Sequence, residues 1–325
     1  MRTDGVKWIV SALLITVTTR AAVPARPAQR TELRVAVNAT TIESFPAFLA
    51  AESLGGGDAR VVIVPVANGR IAMSQLVSGA VDAATGSETQ VLLNSVTDPR
   101  LRIVVTLADC RYRIVARRAS GIARLADLRG KRVGATVNTS SQYFLAGMLR
   151  KAGLRESDIQ FVNLEGQDMP EALKRNAVDA VSIWEPHAQN SLEALGKEAV
   201  VFQDAGVYRE QFNLNTRTDV LADPARRAAL GSFLHAIDVA SERLRRRPSD
   251  VIPALAPRIG MNERTVLAVW PQFRFPATLE DSLQNSMNAV EGWVAAMQKR
   301  QPRAPAELAP LVDGTVLAQA RKLPK

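Results

Sequence analysis

The fold class predicted for this chain of 325 residues is α/β, with two lobes, two crossings between them and a helical C-terminal extension. Three observations predict it. Strand-like runs alternate with helix-length segments as far as about residue 199, which argues for largely parallel sheets. A pattern recurs: Leu76-Val77-Ser78-Gly79-Ala80-Val81-Asp82-Ala83 shares Leu-x-x-x-Ala-Val-Asp-Ala with Leu173 to Ala180, 97 residues later, and Arg34-Val35 matches Arg132-Val133 at an offset of 98. Such a repeat indicates two copies of one βαβ layout. From Asp223 onward the pattern turns helical.

Residues 33–37 (LRVAV) read as a strand, 38–41 as a polar loop, and 45–52 as a helix with Pro46 in its first turn, where a missing N–H is no loss. Residues 60–65 make a second strand and 71–78 a helix ended by Gly79. A third strand at 81–85 delivers Gly86-Ser87 to a helix at 88–95, and 101–107 (LRIVVTL) closes the first set. Residues 111–116 begin a passage into a second set running to about 199. There 132–136 is a short strand, Asn138-Thr139-Ser140-Ser141 is a cluster of N-capping residue types, and 143–151 is a helix closed by Gly153. A return passage is expected between 201 and 217. The chain is therefore expected to divide into lobe I (31–112 and 206–325) and lobe II (113–205), with the two crossings as a hinge. Helices are expected at 224–245, 249–256, 262–270 and 280–299, with a short one near Thr315.

The first 25 residues read as a secretory signal. Arg2 and Lys7 precede the apolar run 8–17 (WIVSALLITV), and the small residues Ala21, Ala22 and Ala25 follow. The run is too short for a comfortable membrane span, and an uncleaved anchor is the alternative to a cleaved signal. The formal net charge of +9 drops to +7 once this segment is removed with Arg2, Asp4, Lys7 and Arg20. The basic residues are dispersed apart from 243–247 (RLRRR) at the end of a predicted helix, where they complement the helix dipole, so nucleic acid is not an expected partner. Cys110 is the only cysteine, which excludes an intrachain disulfide.

The stretch 125–134 (LADLRGKRVG), the Ser140-Ser141 pair before a Tyr-Phe helix, Val178-Asp179-Ala180 and Trp184-Glu185-Pro186, taken in order, resemble the substrate-binding proteins of bacterial ABC importers for aliphatic sulfonates, taurine and nitrate. Their relatives that bind the pyrimidine precursor of thiamine share the pattern. The resemblance covers roughly residues 33–219, with Leu54-Gly55-Gly56-Gly57-Asp58 standing where that family usually has Gly-Tyr-Phe and Glu-Gly-Leu. It implies a periplasmic-binding-protein-like fold of type II, a periplasmic location, a small-molecule ligand, an importer permease as partner and a monomer without cofactor. A thiamine precursor or an aromatic acid are alternative ligands, and an enzyme or a sensory module on the same fold are alternative roles.

Catalytic constellations are scarce. The two histidines, His187 and His235, are too few for a His-rich metal site, and no nucleophile elbow, P-loop or dinucleotide glycine motif is present. No catalytic residue, metal or cofactor is expected. The expected ligand-binding residues are Asn38, Thr40, Thr41, Ser87, Glu88, Thr139, Ser140, Ser141, Trp184 and Glu185. The repeat aligns Ser87-Glu88 with Trp184-Glu185, each just past the carboxyl end of a parallel strand, where open α/β sheets bind ligands. The loops supply neutral hydrogen-bonders and no Lys or Arg, which suits a weakly basic oxyanion held by hydroxyls and backbone N–H groups. Glu88 and Glu185 have two outcomes. Facing the cleft, they favour an amine-bearing ligand; capping or paired with Arg, they say nothing about ligand charge. Trp184 offers a flat apolar face to the ligand or packs between the lobes. His187 is expected on a helix surface.

Overall fold

Alternation along the first strand decides how the first sheet is covered. In β1 (Thr31–Asn38), Leu33, Val35 and Val37 enter one buried cluster with Phe45, Leu230 and Phe233, while Ala36 enters another with Met73, Leu76 and Leu92. A strand's two-residue period requires this split. The computed structural model describes Met1, residues 31–55 and residues 59–324. The expected signal segment and the Gly56-Gly57-Asp58 connector lie outside the described residues. Among the described residues, no helix is long and apolar enough to cross a membrane.

The first half alternates as the sequence pattern requires: α1 (Phe45–Ser53), β2 (Ala59–Val66), α2 (Gly69–Val77), β3 (Ala83–Ser87), α3 (Glu88–Asn94) and β4 (Leu101–Arg111). After β5 (Arg113–Arg117) and β6 (Arg132–Ala135) come α4 (Ser140–Lys151), β7 (Gln160–Asn163), α5 (Met169–Lys174), β8 (Ala180–Ile183), α6 (His187–Leu195) and β9 (Ala199–Phe202). The chain returns in β10 (Arg209–Arg217), passes α7 (Thr218–Ala222), and runs through α8 (Pro224–Arg246). It ends with α9 (Ile252–Leu255), α10 (Glu263–Val269), β11 (Phe273–Arg274), α11 (Asp281–Met297), α12 (Pro305–Leu308) and α13 (Thr315–Ala320). The helix starts follow their chemistry. Asp223 Oδ1 accepts from the backbone N–H groups of Ala225 and Arg226, and Pro224 occupies the first turn of α8.

The described residues form two sheets. One has the order β11-β4-β10-β3-β1-β2, the other β7-β6-β8-β5-β9. Each contains a parallel trio, β2-β1-β3 or β7-β6-β8, flanked beyond its third strand by an antiparallel strand, β10 or β5. The expectation of a largely parallel sheet therefore fails at β4, which pairs antiparallel with β10 and β11. The reason is topological: β4 leads the chain out of the first sheet and β10 brings it back, so neighbouring strands point opposite ways. Tyr112 alone separates β4 from β5.

Both faces of the first sheet are covered. α1 and α8 share one buried cluster with Leu33, Val35 and Val37, and Met73 and Leu76 of α2, Leu92 of α3 and Met287 of α11 belong to the other. β4 is buried at nine of its eleven positions, the signature of a strand enclosed on both sides. Each fully buried Leu, Val or Phe contributes roughly 1.5–3 kcal/mol of apolar transfer. The cluster that holds Met73, Leu76 and Met287 continues into the second sheet through Val115, Val133, Phe144, Leu149 and Val181.

Candidate ligand-binding site

The carboxyl ends of β1 and β3, the entry of β10 and the first turns of α2 and α4 converge on one cavity. Its volume is about 20 Å³, and it is lined from the first sheet's side by Asn38, Glu43, Gly69, Arg70, Ser87, Gln90, Glu210 and Phe212, and from the second sheet's side by Thr139, Ser140 and Trp184. That space suits a water molecule, so a larger solute enters only when the two sides part. Gly69 is required here by close approach: a Cβ would stand 3.1 Å from the Cα of Gly86.

Hydrogen bonds cross the cleft at several points. Gln90 Nε2 donates to the Asn138 carbonyl at 2.7 Å, Asn68 Nδ2 to Glu165 Oε2 at 2.7 Å, and Ser140 Oγ to Glu210 Oε1 at 3.0 Å. Arg70 reaches Glu165 Oε1 at 2.9 Å, so its charge is neutralised at the rim. Asn138 adopts φ 57°, the left-handed conformation that Asn tolerates, and this turn carries the chain into α4.

The expected residues divide into two groups. Asn38, Ser87, Thr139, Ser140 and Trp184 line the cavity. Thr40, Thr41, Glu88, Ser141 and Glu185 do not. Thr40 turns back, its N–H and hydroxyl donating to Asn38 Oδ1 at 3.1 and 3.0 Å. Thr41 Oγ1 lies 2.8 Å from Glu43 Oε2 and 3.1 Å from the Glu185 carbonyl, tying the two sides together from beneath. Ser141 Oγ donates to the Ser182 carbonyl at 2.6 Å and anchors α4 to β8. Thr139 caps α4, accepting from Ser141 N–H at 3.2 Å.

Neither carboxylate that the sequence alignment paired faces the cavity. Glu185 is fully buried against Arg113, whose Nε donates to Oε1 at 2.5 Å, and Oε2 accepts from Gln189 N–H at 3.0 Å. Burial raises its pKa while Arg113 opposes the rise. Glu88 turns toward the C-terminal region, held by the Gln211 N–H at 3.2 Å and by Ser286 Oγ, and burial pushes its pKa up to about 8. Trp184 is 5% exposed and stands edge-on to Tyr112, with ring centroids 6.2 Å apart at 82°. Its Nε1 has no partner. His187 is buried, against the surface expectation. A Cβ on Gly166 would stand 2.5 Å from its ring, and burial lowers its pKa to about 4.

The cavity's acids are Glu43 and Glu210, which sequence pattern did not single out. Glu43 lies in the single 3₁₀ turn after β1, Ile42–Ser44, and Glu210 near the start of β10. Both are essentially without exposure. Burial, then the neighbouring Glu210 charge, raises Glu43 well above the usual carboxylate range, and burial raises Glu210 against hydrogen bonds from Ser140, Ser87 and Tyr112. A signal for Glu43 existed, since it follows the polar loop by two residues. Glu210 had none, because the register of an antiparallel return strand is not written in its own sequence.

Capping and binding are thus separable. Ser140→Ala and Ser141→Ala are each expected to cost about 1–3 kcal/mol of stability by stranding the buried groups they bond, but only Ser140→Ala, at the cavity wall, to change ligand affinity, by a factor of about 10. Calorimetric titration and urea denaturation of the two single variants check this. Equal changes of affinity in the two variants contradict the division.

Two α/β lobes that close over a polar cavity at strand ends define a periplasmic-binding-protein fold. The chain belongs to the NMT1/THI5-like family, whose model matches residues 58–250. The structure is similar to that of the periplasmic aliphatic sulphonate binding protein of Escherichia coli, with a TM-score of 0.70, 18% identity, and coverage of 86% of this chain and 92% of that one. In sequence it is 38% identical over 73 residues to an Escherichia coli K12 protein named for binding aliphatic sulfonates, 22% of this chain and 23% of that one. It is 22% identical over 156 residues to a Haemophilus influenzae protein named for thiamine biosynthesis, covering 47% of this chain and 48% of that one. The chain thus spans from about a quarter to a half of the length of the curated relatives it matches.

Proposed function

We propose that the protein is a periplasmic solute-binding protein that captures a small polar solute between two lobes and hands it to an ABC importer permease, without catalysing a reaction. The lobes are assigned to residues 31–112 with 206–325, and to 113–205; residues 1–25 act as the export signal, and the protein works as a monomer. The observation that carries this reading is the cavity itself. Strand ends and helix N-termini from two separate sheets line one polar space, and side chains bond across it. A solute that contacts both sides gains its full set of bonds only when they meet, so its differential affinity sets the closed population.

The sulfonate class comes from the relatives' names and from the sequence resemblance, which adds taurine and nitrate, with a thiamine precursor or aromatic acid as the other candidates. Mass spectrometry of protein purified natively from periplasmic extract tests the role. The expected result is a mature chain beginning between about residues 22 and 30, carrying one small molecule that denaturation releases. A full-length chain confined to the cytoplasm, or a bound compound that is converted on incubation, contradicts it.

A further inference from the structure

The hydroxyl donors around the cavity are already committed. Ser140 Oγ donates to Glu210 Oε1, Tyr112 OH and Ser140 Oγ lie 2.8 Å apart, and Ser87 also hydrogen-bonds Glu210. Thr41 Oγ1 is bonded to Glu43 Oε2. Among the residues lining the cavity, two N–H donors, Trp184 Nε1 and Arg70 Nε, and two carboxyl oxygens are buried without a partner. Glu43 Oε1 and Glu210 Oε2 are buried and receive no hydrogen bond from a donor of the surrounding protein. The two carboxyls stand within hydrogen-bonding reach of each other, and two acids so close and so buried favour holding one proton between them over ionising together. No Lys or Arg side chain among the described residues bonds either one, and Arg70 at the rim is spent on Glu165. A buried acceptor without a donor is destabilising, and more so when charged.

Building on the solute-binding role above, we propose that Glu43 and Glu210 select solutes bearing a protonated nitrogen with at least two N–H donors, an ammonium or amidinium, which replaces the proton the two carboxyls share. The nitrogen donates to both carboxylates, and the displaced proton leaves to buffer. A plain sulfonate offers only acceptors to a pair that has none to receive.

The groups that face the pair set the direction of its pH response. They are Arg70 from α2, Glu88 at the start of α3, Cys110 on β4, Tyr112 between β4 and β5, Glu185 after β8 with its partner Arg113, and Tyr208 before β10. Arg70 and Arg113 are each bonded to another carboxylate, so neither charge is available to the pair. Both carboxyls are raised above the ordinary range, chiefly by burial. Ammonium binding therefore tightens as pH rises toward the range where the pair ionises, because less proton must be displaced. Binding of a sulfonate that required the protonated pair as donor would weaken over the same interval.

The test uses solute-stripped full-length mature protein and matched probes: taurine and ethanesulfonate, benzamidine and benzenesulfonate, benzylamine and nitrate. Calorimetric titrations run at several pH values, in phosphate and in Tris, so that proton release is read from the difference in buffer heat. The expected result is that an amine or amidine binds at least about tenfold more tightly than its anionic counterpart, releases a proton, and gains affinity with pH. Glu43→Gln and Glu210→Gln should each lower that affinity by about tenfold or more and abolish the proton release. The wild-type pH profile stands as evidence even where a variant folds poorly. Tighter binding of the anions, or binding by none of the N–H donors, overturns the inference. Anion binding in the cleft would leave the solute-binding role intact, whereas silence of every probe together with the absence of any co-purified solute counts against both.

Discussion

Replacing Arg113 with Met is expected to lower stability by about 3–5 kcal/mol at pH 7, because it leaves Glu185 as a buried charge without its cation. The pair is enclosed: the Glu185 side chain has no exposure and that of Arg113 11%. Gln189 N–H remains as a donor, which is not enough to replace a full positive charge. The double variant Arg113→Met with Glu185→Gln should recover most of the loss, since a neutral amide carries a far smaller desolvation penalty. Urea denaturation of wild type, both singles and the double gives the cycle that isolates the pair. Without Arg113 the Glu185 pKa rises further, so the deficit of the single variant should shrink as pH is lowered from 7 toward 5. A deficit below about 1 kcal/mol, a value typical of exposed pairs, contradicts this account.

The second large effect concerns Glu88. Its pKa stands at about 8 in the folded protein against 4.5 for the unperturbed group. A raised carboxyl pKa means that the native state retains a proton the unfolded chain has lost, so its contribution to stability is complete below about pH 4.5 and disappears as pH rises to about 8. The whole shift corresponds to no more than about 5 kcal/mol. Glu88→Gln keeps the shape, accepts from Gln211 N–H and donates to Ser286 Oγ, and carries no titration. The variant should match wild type near pH 5 and exceed it by about 3–5 kcal/mol above pH 8. Glu43, Glu185 and Glu210 titrate with the same sign and remain in the variant, so the quantity to read is the difference between the two curves. Parallel curves would contradict the prediction.

The contrast between these acids explains what the sequence disclosed. Strands such as LRVAV at 33–37 and helices such as 45–52 were legible because a two-residue or 3.6-residue apolar period, a first-turn Pro and a stopping Gly are local signals; Gly79 and Gly153 do sit at φ 79° and 70° just past their helices. The loops at strand ends were legible for the same reason, and Asn38, Ser87, Thr139, Ser140 and Trp184 line the cavity as strand topology demands. Direction of a side chain was not. Glu185 follows Trp184 in sequence, yet successive residues point to different sides and Arg113 from a neighbouring strand captures it. Glu88, one residue into its helix, meets Ser286, 198 positions away. Glu210 enters the cavity only because β10 pairs antiparallel with both β3 and β4, a register fixed by the whole sheet. The internal repeat found the equivalent strands and left open which way their acids face; of its two outcomes, Glu185 shows the pairing with an Arg.

The central claim is that one solute is held by both lobes at once, and hydrogen exchange followed by mass spectrometry tests it most directly. Solute-stripped protein would be compared with protein reloaded with the small molecule released from the native preparation. The account predicts added protection in the segments around Ser87–Gln90 and Glu210–Phe212 on one side, and around Thr139–Gln142 and Trp184 on the other, at the same solute concentration. Protection confined to one sheet's segments, or placed instead away from this cavity, would contradict it.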